Sequence, residues 1–305
     1  MVKKGHSKHK LKKQLEWYSF IIIPLITLVV LVYVPMLSTI KYSLYDVSFL
    51  GYGEEYVGFR NYRMLLTSSS FMKALGNTVV LTLMGLLTIP LGFILASFIN
   101  SLGKGKLQGF FRVGFYLPNI ITGVSVILMF QVILKGNDGL FNSFLSAVTG
   151  HEITVGWLSD SHYAKFGATL LWIWMNLGYS MLINLASMQS IQTEIYEAAS
   201  VDGANAFKRW FYITIPHMKQ CFAFLFVTGM ISGLSRFTDL FVIGGNSSSG
   251  APGGTLQTLL LYIYQYSFEV PQYGISSAGA MILFVIVLLF TLVNVKMSGM
   301  FREEK

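Results

Sequence analysis

Long apolar runs alternate with short polar intervals along the 305 residues. A bilayer crossing needs about 20 mostly apolar residues. Six runs meet that length, at roughly 17–40, 77–100, 113–134, 166–188, 220–243 and 275–296. Lipid offers no partner to unpaired backbone groups, so such runs must be helices. The pattern therefore predicts an all-α integral membrane protein with six transmembrane helices. No small-residue cleavage site follows the first run, which reads as a retained anchor with Trp17 and Tyr18 at the interface. Between the first two runs, Tyr56, Phe59, Tyr62 and Leu66 recur at helical spacing and predict a helix lying in the interface. "GNDGLF" within 136–164 reads as a turn, and "GGNSSSGAPGG" at 244–254 as a flexible loop.

Composition agrees with this picture. Apolar residues make up 53% of the chain and charged residues 12%, about half the charged share of a soluble domain. The charges are unevenly placed. Fifteen of the 22 lysines and arginines flank one set of run ends: the tail 1–16, the loops after the second and fourth runs, and the C-terminal end. Six fall on the other side, and Arg236 lies within the fifth run. Basic residues are retained in the cytoplasm, so both termini and the loop 190–218 are expected there. The chain then divides into a basic tail 1–16, a transmembrane domain 17–298 and a short tail 299–305. The net charge of +8 reflects topology and not nucleic-acid binding, though the basic tail can also attract anionic lipid headgroups.

Several chemistries are not supported by the sequence. Cys221 is the single cysteine, so no intrachain disulfide forms. The five histidines are dispersed, and no metal site is expected. No GxxxxGK[ST] phosphate loop occurs; "GKGK" at 103–106 lacks the upstream glycine and following hydroxyl. No nucleophile, base or paired-carboxylate arrangement points to an enzyme.

The loop after the fourth run is unusual in being polar and helix-forming. In "EAASVDGANAFKRWFYITIPHM" at 197–218, Ala198 and Ala199 favour helix, and Glu194 and Glu197 lie near its start. Gly203 can take the left-handed conformation that ends a helix. Ala204 to Tyr212 can form a second short helix, and Pro216 fits the first turn of the fifth run. The product is a helix–turn–helix elbow whose apolar residues Ile195, Ala198, Ala199 and Phe207 need a partner. An amphipathic connector lying in the interface fits the same residues.

Two further groups are polar where lipid would penalise them. In the fourth run Trp172, Asn176, Tyr179, Ser180, Asn184 and Ser187 fall within a ~140° arc at about 100° per residue, and this face should turn inward. In the fifth run Thr228, Ser232, Ser235, Arg236 and Asp239 share a helical face, with Arg236 and Asp239 three apart and able to pair. A gate at the outer end and a structural ion pair between subunits are both open readings.

The elbow resembles the EAA motif of bacterial ABC importer permeases, EAA-x3-G-x9-I-x-L-P. Glu197, Ala198, Ala199, Gly203, Ile213 and Pro216 match, and Ile215 replaces the leucine. "YVGFRNYRMLL", "FRVGFYLPNIITGVSV", "WLSDSHYA", "RFTDLFVIGG" and "YGISSAGA" are similar to the carbohydrate-uptake branch, of maltose, multiple-sugar and glycerol-phosphate type. The resemblance implies a type I permease fold in a bacterial plasma membrane, forming half of a sugar pathway. It implies four protein partners: a second permease, two ATPase subunits and an extracellular sugar-binding protein. ATP and Mg would be bound by the ATPases, with no cofactor in this chain. Glu197, Ala198, Ala199, Asp202, Gly203, Ile213 and Pro216 would form the coupling helix that docks on an ATPase. Trp172, Asn176, Tyr179, Ser180, Asn184 and Ser232 are candidates for the sugar path, although interhelical hydrogen bonding explains the same stripe. Arg236 and Asp239 are the candidate gate pair. The alternative is an ion-coupled secondary sugar transporter, which would need an intramembrane ionisable relay; only Arg236 and Asp239 are available, and they can neutralise one another.

Overall fold

The computed structural model describes residues 17–47, 54–103 and 105–298; the two tails expected at 1–16 and 299–305, and Lys104, lie outside the described residues. Helix α1 (Trp17–Ser43) is mostly apolar, with a π-helical turn at Val29–Tyr33. Its side chains are exposed from Trp17 to Leu37, a surface that only lipid or another apolar chain can cover. A two-residue antiparallel ladder follows, β1 (Tyr45–Asp46) with β2 (Glu55–Tyr56). Helix α2 (Arg60–Thr67) then caps the bundle. It departs from the expected interfacial stripe. Tyr56 belongs to β2 and Phe59 precedes the helix, while Leu65 and Asn61 are buried. Asn61 Nδ2 donates to the Ser43 and Tyr45 carbonyls at 3.0 and 2.9 Å, so α2 is tied to the end of α1.

Helices α3 (Ser69–Gly85) and α4 (Thr88–Ser101) make one kinked span of 33 residues. Gly85 closes α3, and Pro90 sits in the first turn of α4, where a missing N–H is tolerated. The third run is not a straight helix. It folds as α5 (Lys106–Ile120) and α6 (Gly123–Ile133), bent by 99°. Pro118 removes one backbone donor from the end of α5. Ile120, Ile121 and Thr122 are β-branched and Gly123 follows, a stretch of weak helix formers at which the chain turns extended. Counting this pair as one, the described residues hold six spans, in agreement with the sequence.

After α7 (Leu140–Thr149), helix α8 (Ala164–Gln189) runs 26 residues, about 39 Å at 1.5 Å per residue. The elbow contains α9 (Thr193–Val201) and α10 (Ala206–Arg209). The fifth run breaks in two, α11 (Lys219–Leu234) and α12 (Thr238–Ile243). Ser235, Arg236 and Phe237 leave the helix, so the single face expected from Thr228 to Asp239 ends at Leu234. Helices α13 (Leu259–Tyr264) and α14 (Tyr273–Ser298) complete the chain.

Helix α8 is the centre of the bundle, packed by α4 on one side and α5 on another. Glycines permit both approaches. A β-carbon at Gly92 would overlap Ser180 Oγ, and one at Gly178 would overlap the Phe115 carbonyl. Phe93, Ala96 and Ile99 of α4 interlock with Met181, Leu185 and Met188 of α8. The segment 244–254 is not a free loop. Asn77 Nδ2 donates to the carbonyls of Gly254 and Gln257, both at 2.9 Å, and Lys73 Nζ donates to Gly253 at 2.8 Å. Ser248 is fully buried and donates to Glu269 at 2.6 Å.

Candidate functional site

The elbow is built as its residues dictate. Helix α9 ends at a left-handed glycine, Gly203 with φ +78°. The Ala204 N–H reaches back to the Ala199 carbonyl at 2.9 Å and the Gly203 N–H to Ser200 at 3.1 Å, the paired bonds of a Schellman stop. Asn205 caps α10 by accepting from the Lys208 N–H at 2.9 Å. The chain then continues through a π-helical turn, Trp210–Thr214, and a short helix, Ile215–His217, with Pro216 in its first turn. The second elbow helix thus begins later than expected and runs without a gap almost to α11.

Trp210 fastens the elbow to the bundle, and two further side-chain bonds brace the elbow internally. Trp210 Nε1 donates to Ser97 Oγ at 2.9 Å, and its ring packs on Phe93. Tyr196 and Thr214 hydroxyls bond at 3.0 Å, closing α9 onto the start of the fifth span. Arg209 donates to Ser200 Oγ at 2.6 Å across the bend. The outer surface carries Glu197 and Ala198, both exposed. Val201, Phe207 and Tyr212 are 89%, 69% and 72% exposed. Large apolar side chains so exposed stand out on an otherwise polar loop.

A second feature lies at the middle of α8. A cavity of about 170 Å³ is bounded by Gly85 to Ile89 at the α3–α4 kink, by α8, and by α11. Trp172, Asn176, Tyr179 and Ser180 line it from α8, and Ser232 joins them from α11. Asn184 is not among them. It is fully buried a turn away, its Nδ2 bonded to the Ser180 carbonyl at 2.8 Å and its Oδ1 against Cys221 Sγ. The lining offers hydroxyls, an amide and two aromatic rings, with no Lys, Arg, His, Asp or Glu.

Arg236 and Asp239 are 2% and 5% exposed and pair with each other at the break in the fifth span. Arg236 Nε donates to Asp239 Oδ2 at 3.1 Å, and one terminal nitrogen bonds both that oxygen and, at 3.0 Å, the Ala168 carbonyl. The Arg236 carbonyl accepts from Thr258 Oγ1 at 3.1 Å. The guanidinium carbon stands 4.5 Å from the centre of the Trp172 ring. The ion pair is thus formed within this chain.

Residues 88–298 match the family model of the binding-protein-dependent transport system inner membrane component. The chain belongs to this family. The multiple sugar-binding transport system permease protein MsmF of Streptococcus mutans is 33% identical over 96% of this chain and 98% of its own length. The trehalose/maltose transport system permease protein MalF of Thermococcus litoralis is 32% identical over 93% of each. The lactose transport system permease protein LacF of Rhizobium radiobacter is 30% identical over 89% of each. Among solved structures, a chain of a bacterial ABC transporter involved in the import of the acidic polysaccharide alginate superimposes with a TM-score of 0.80 at 23% identity, over 98% of this chain and all of that one. A related structure, in complex with alginate pentasaccharide-bound periplasmic protein, gives a TM-score of 0.79 at 25% identity over 95% and 96% of the two chains.

The protein is therefore a multi-pass inner membrane permease of ABC importer type, a transport component and not an enzyme. In this permease the elbow and the α8 stripe were legible as local patterns. The contributions of Gly85, Thr88, Thr228 and Gly229 to the cavity were not. Thr228 shows in the sequence only as a polar position on the fifth run. Gly85 and Thr88 flank a kink whose sole sequence signal is Gly85 followed by Pro90.

Proposed function

We propose that this permease carries a neutral oligosaccharide, and that the cavity between the α3–α4 kink, α8 and α11 is part of the sugar path. The observation that carries the reading is the convergence of Trp172, Asn176, Tyr179, Ser180 and Ser232 on one cavity midway along the spans. Sugars present hydroxyls to hydrogen-bond and C–H faces to pack on rings, and a mostly apolar site with a few convergent polar groups suits both. The absence of charged side chains from the lining favours an uncharged ligand. Relatives named for multiple sugars, trehalose and maltose, and lactose support the same class.

The chain would act with a second permease, two ATPase subunits that bind ATP and Mg, and an extracellular sugar-binding protein. The basic flanks put both termini and the elbow on the cytoplasmic side. There Glu197, Ala198, Ala199, Asp202 and Gly203 meet an ATPase, small alanines allow close approach, and Ile213 and Pro216 transmit the shift. Because the elbow runs unbroken into Ile215–His217, movement of the ATPase would tilt α11, which lines the cavity, as a rigid body. Arg236 and Asp239 sit at the outer end of the same span, where a gate would lie.

Asn176→Leu and Tyr179→Ala test the sugar path. Each should raise the KM for uptake, by different factors for different sugars, while the complex still assembles. Equal losses for every sugar, tracking a fall in assembled complex, would make the stripe interhelical packing instead.

A further inference from the structure

Resting on the cavity as a sugar site, we propose that Arg236 is a positioning residue for Trp172: the Arg236–Asp239 pair at the break in the fifth span sets the indole that walls the cavity. A guanidinium inside the membrane is costly. Here it is almost wholly buried, and its bonds join the fifth span to α8. Asp239, on the next helix of the same span, holds it on two nitrogens. It reaches across to α8 at Ala168, one turn before Trp172, so it is anchored to the turn that carries the ring. Its guanidinium carbon then lies over the indole, 4.5 Å from the ring centre, within the range of a cation–ring attraction that strengthens when water is excluded.

The indole is confined from α3 as well. A β-carbon on Gly85 would stand 2.9 Å from Trp172 Nε1, tighter than real contacts allow. Glycine is what lets the ring lie against the kink. Among the described residues no acceptor receives the Trp172 N–H, which leaves it to a ligand in the cavity. Neither Arg236 nor Asp239 lines the cavity, so both act through the ring. Arg236 also accepts from Thr258 through its carbonyl, which ties the ring's support to the segment entering α13. A change at the break in the fifth span would therefore be felt at the cavity wall.

The test is a comparison of KM and maximal rate for uptake by the complete complex, in wild-type and Trp172→Leu backgrounds. Arg236→Met with Asp239→Asn removes the pair without leaving a lone charge. It should raise KM about ten-fold, between the exposed and the fully desolvated scale of a cation–ring contact, with maximal rate little changed. In the Trp172→Leu background the same change should shift KM less than about two-fold. Gly85→Ala, which displaces the ring with the pair intact, should raise KM in the same way. Arg236→Lys keeps the charge pair and repeats the comparison with a smaller shift should the double variant not assemble. An equal shift in both backgrounds would overturn the positioning role, as would a loss confined to the amount of assembled complex. If Trp172→Leu alone leaves KM unchanged, the cavity reading fails and takes this one with it. If Trp172→Leu raises KM but neither replacement of Arg236 does, only the positioning role is lost.

Discussion

Gly203 is the point at which backbone conformation and coupling can be separated. Its φ is +78°, and nothing lies within 4 Å of where a β-carbon would project. Any cost of substitution therefore comes from the backbone and not from a clash. Placing an L-residue in the left-handed region costs about 1–2 kcal/mol, more for a β-branched one and little for asparagine. Gly203→Val should thus weaken the turn by about 2 kcal/mol, roughly a thirty-fold change in the population of the folded bend at 1.4 kcal/mol per factor of ten. Gly203→Asn should be nearly neutral. The assay is sugar-stimulated ATP hydrolysis by the reconstituted complex, with ATPase co-purification as the measure of docking. The valine variant should lose about ten-fold or more of the stimulated rate, and the asparagine variant should keep it within about two-fold. If asparagine is as damaging as valine, the open space above Gly203 is needed by a partner and the backbone argument fails. If neither matters, the elbow does not couple.

Other expectations follow from the same structure. Trp210→Phe removes the bond to Ser97 and keeps the ring on Phe93, a loss of about 1 kcal/mol. Trp210→Ala removes both, so stimulated hydrolysis should fall in the order wild type, Phe, Ala, while sugar-dependent binding-protein association is retained. For topology, cysteines at Asn246 and Asp160, both exposed, should react with an impermeant thiol reagent in intact cells, and one at Ala204 should not. Background labelling should be low because the single native cysteine, Cys221, is buried. Reaction at Ala204 would reverse the assigned orientation and remove the elbow from the ATPase side.

What could be read from the sequence was what lies within a few turns of chain. The elbow was legible because alanines, a glycine and a proline at fixed spacing each dictate a local conformation, and Gly203 indeed carries the positive φ expected of it. The polar stripe on α8 was legible because an uninterrupted helix keeps its period. Where helices break, periodicity misleads. The third run is mostly apolar and looks like one span, yet it turns by 99° at Ile121 and Thr122. The face projected through Asp239 ends at Leu234 because Ser235 to Phe237 leave the helix. Tertiary pairing was also out of reach. The glycine- and serine-rich segment 244–254 has the composition of a flexible linker, but Asn77 and Lys73 hold it from 177 to 180 residues away. The support that Arg236 gives Trp172 likewise joins a break in one span to a turn of another.

The central claim is that ATP, acting through the elbow, drives a neutral sugar past the α8 cavity. Uptake of a labelled neutral oligosaccharide into proteoliposomes holding the complete complex tests it most directly. Binding protein is supplied outside, and ATP or an ion gradient is supplied in turn. Accumulation should require both ATP in the lumen, on the elbow side, and the binding protein on the opposite side, and it should persist when proton and sodium gradients are collapsed. Accumulation driven by an ion gradient with no ATP present would contradict the account.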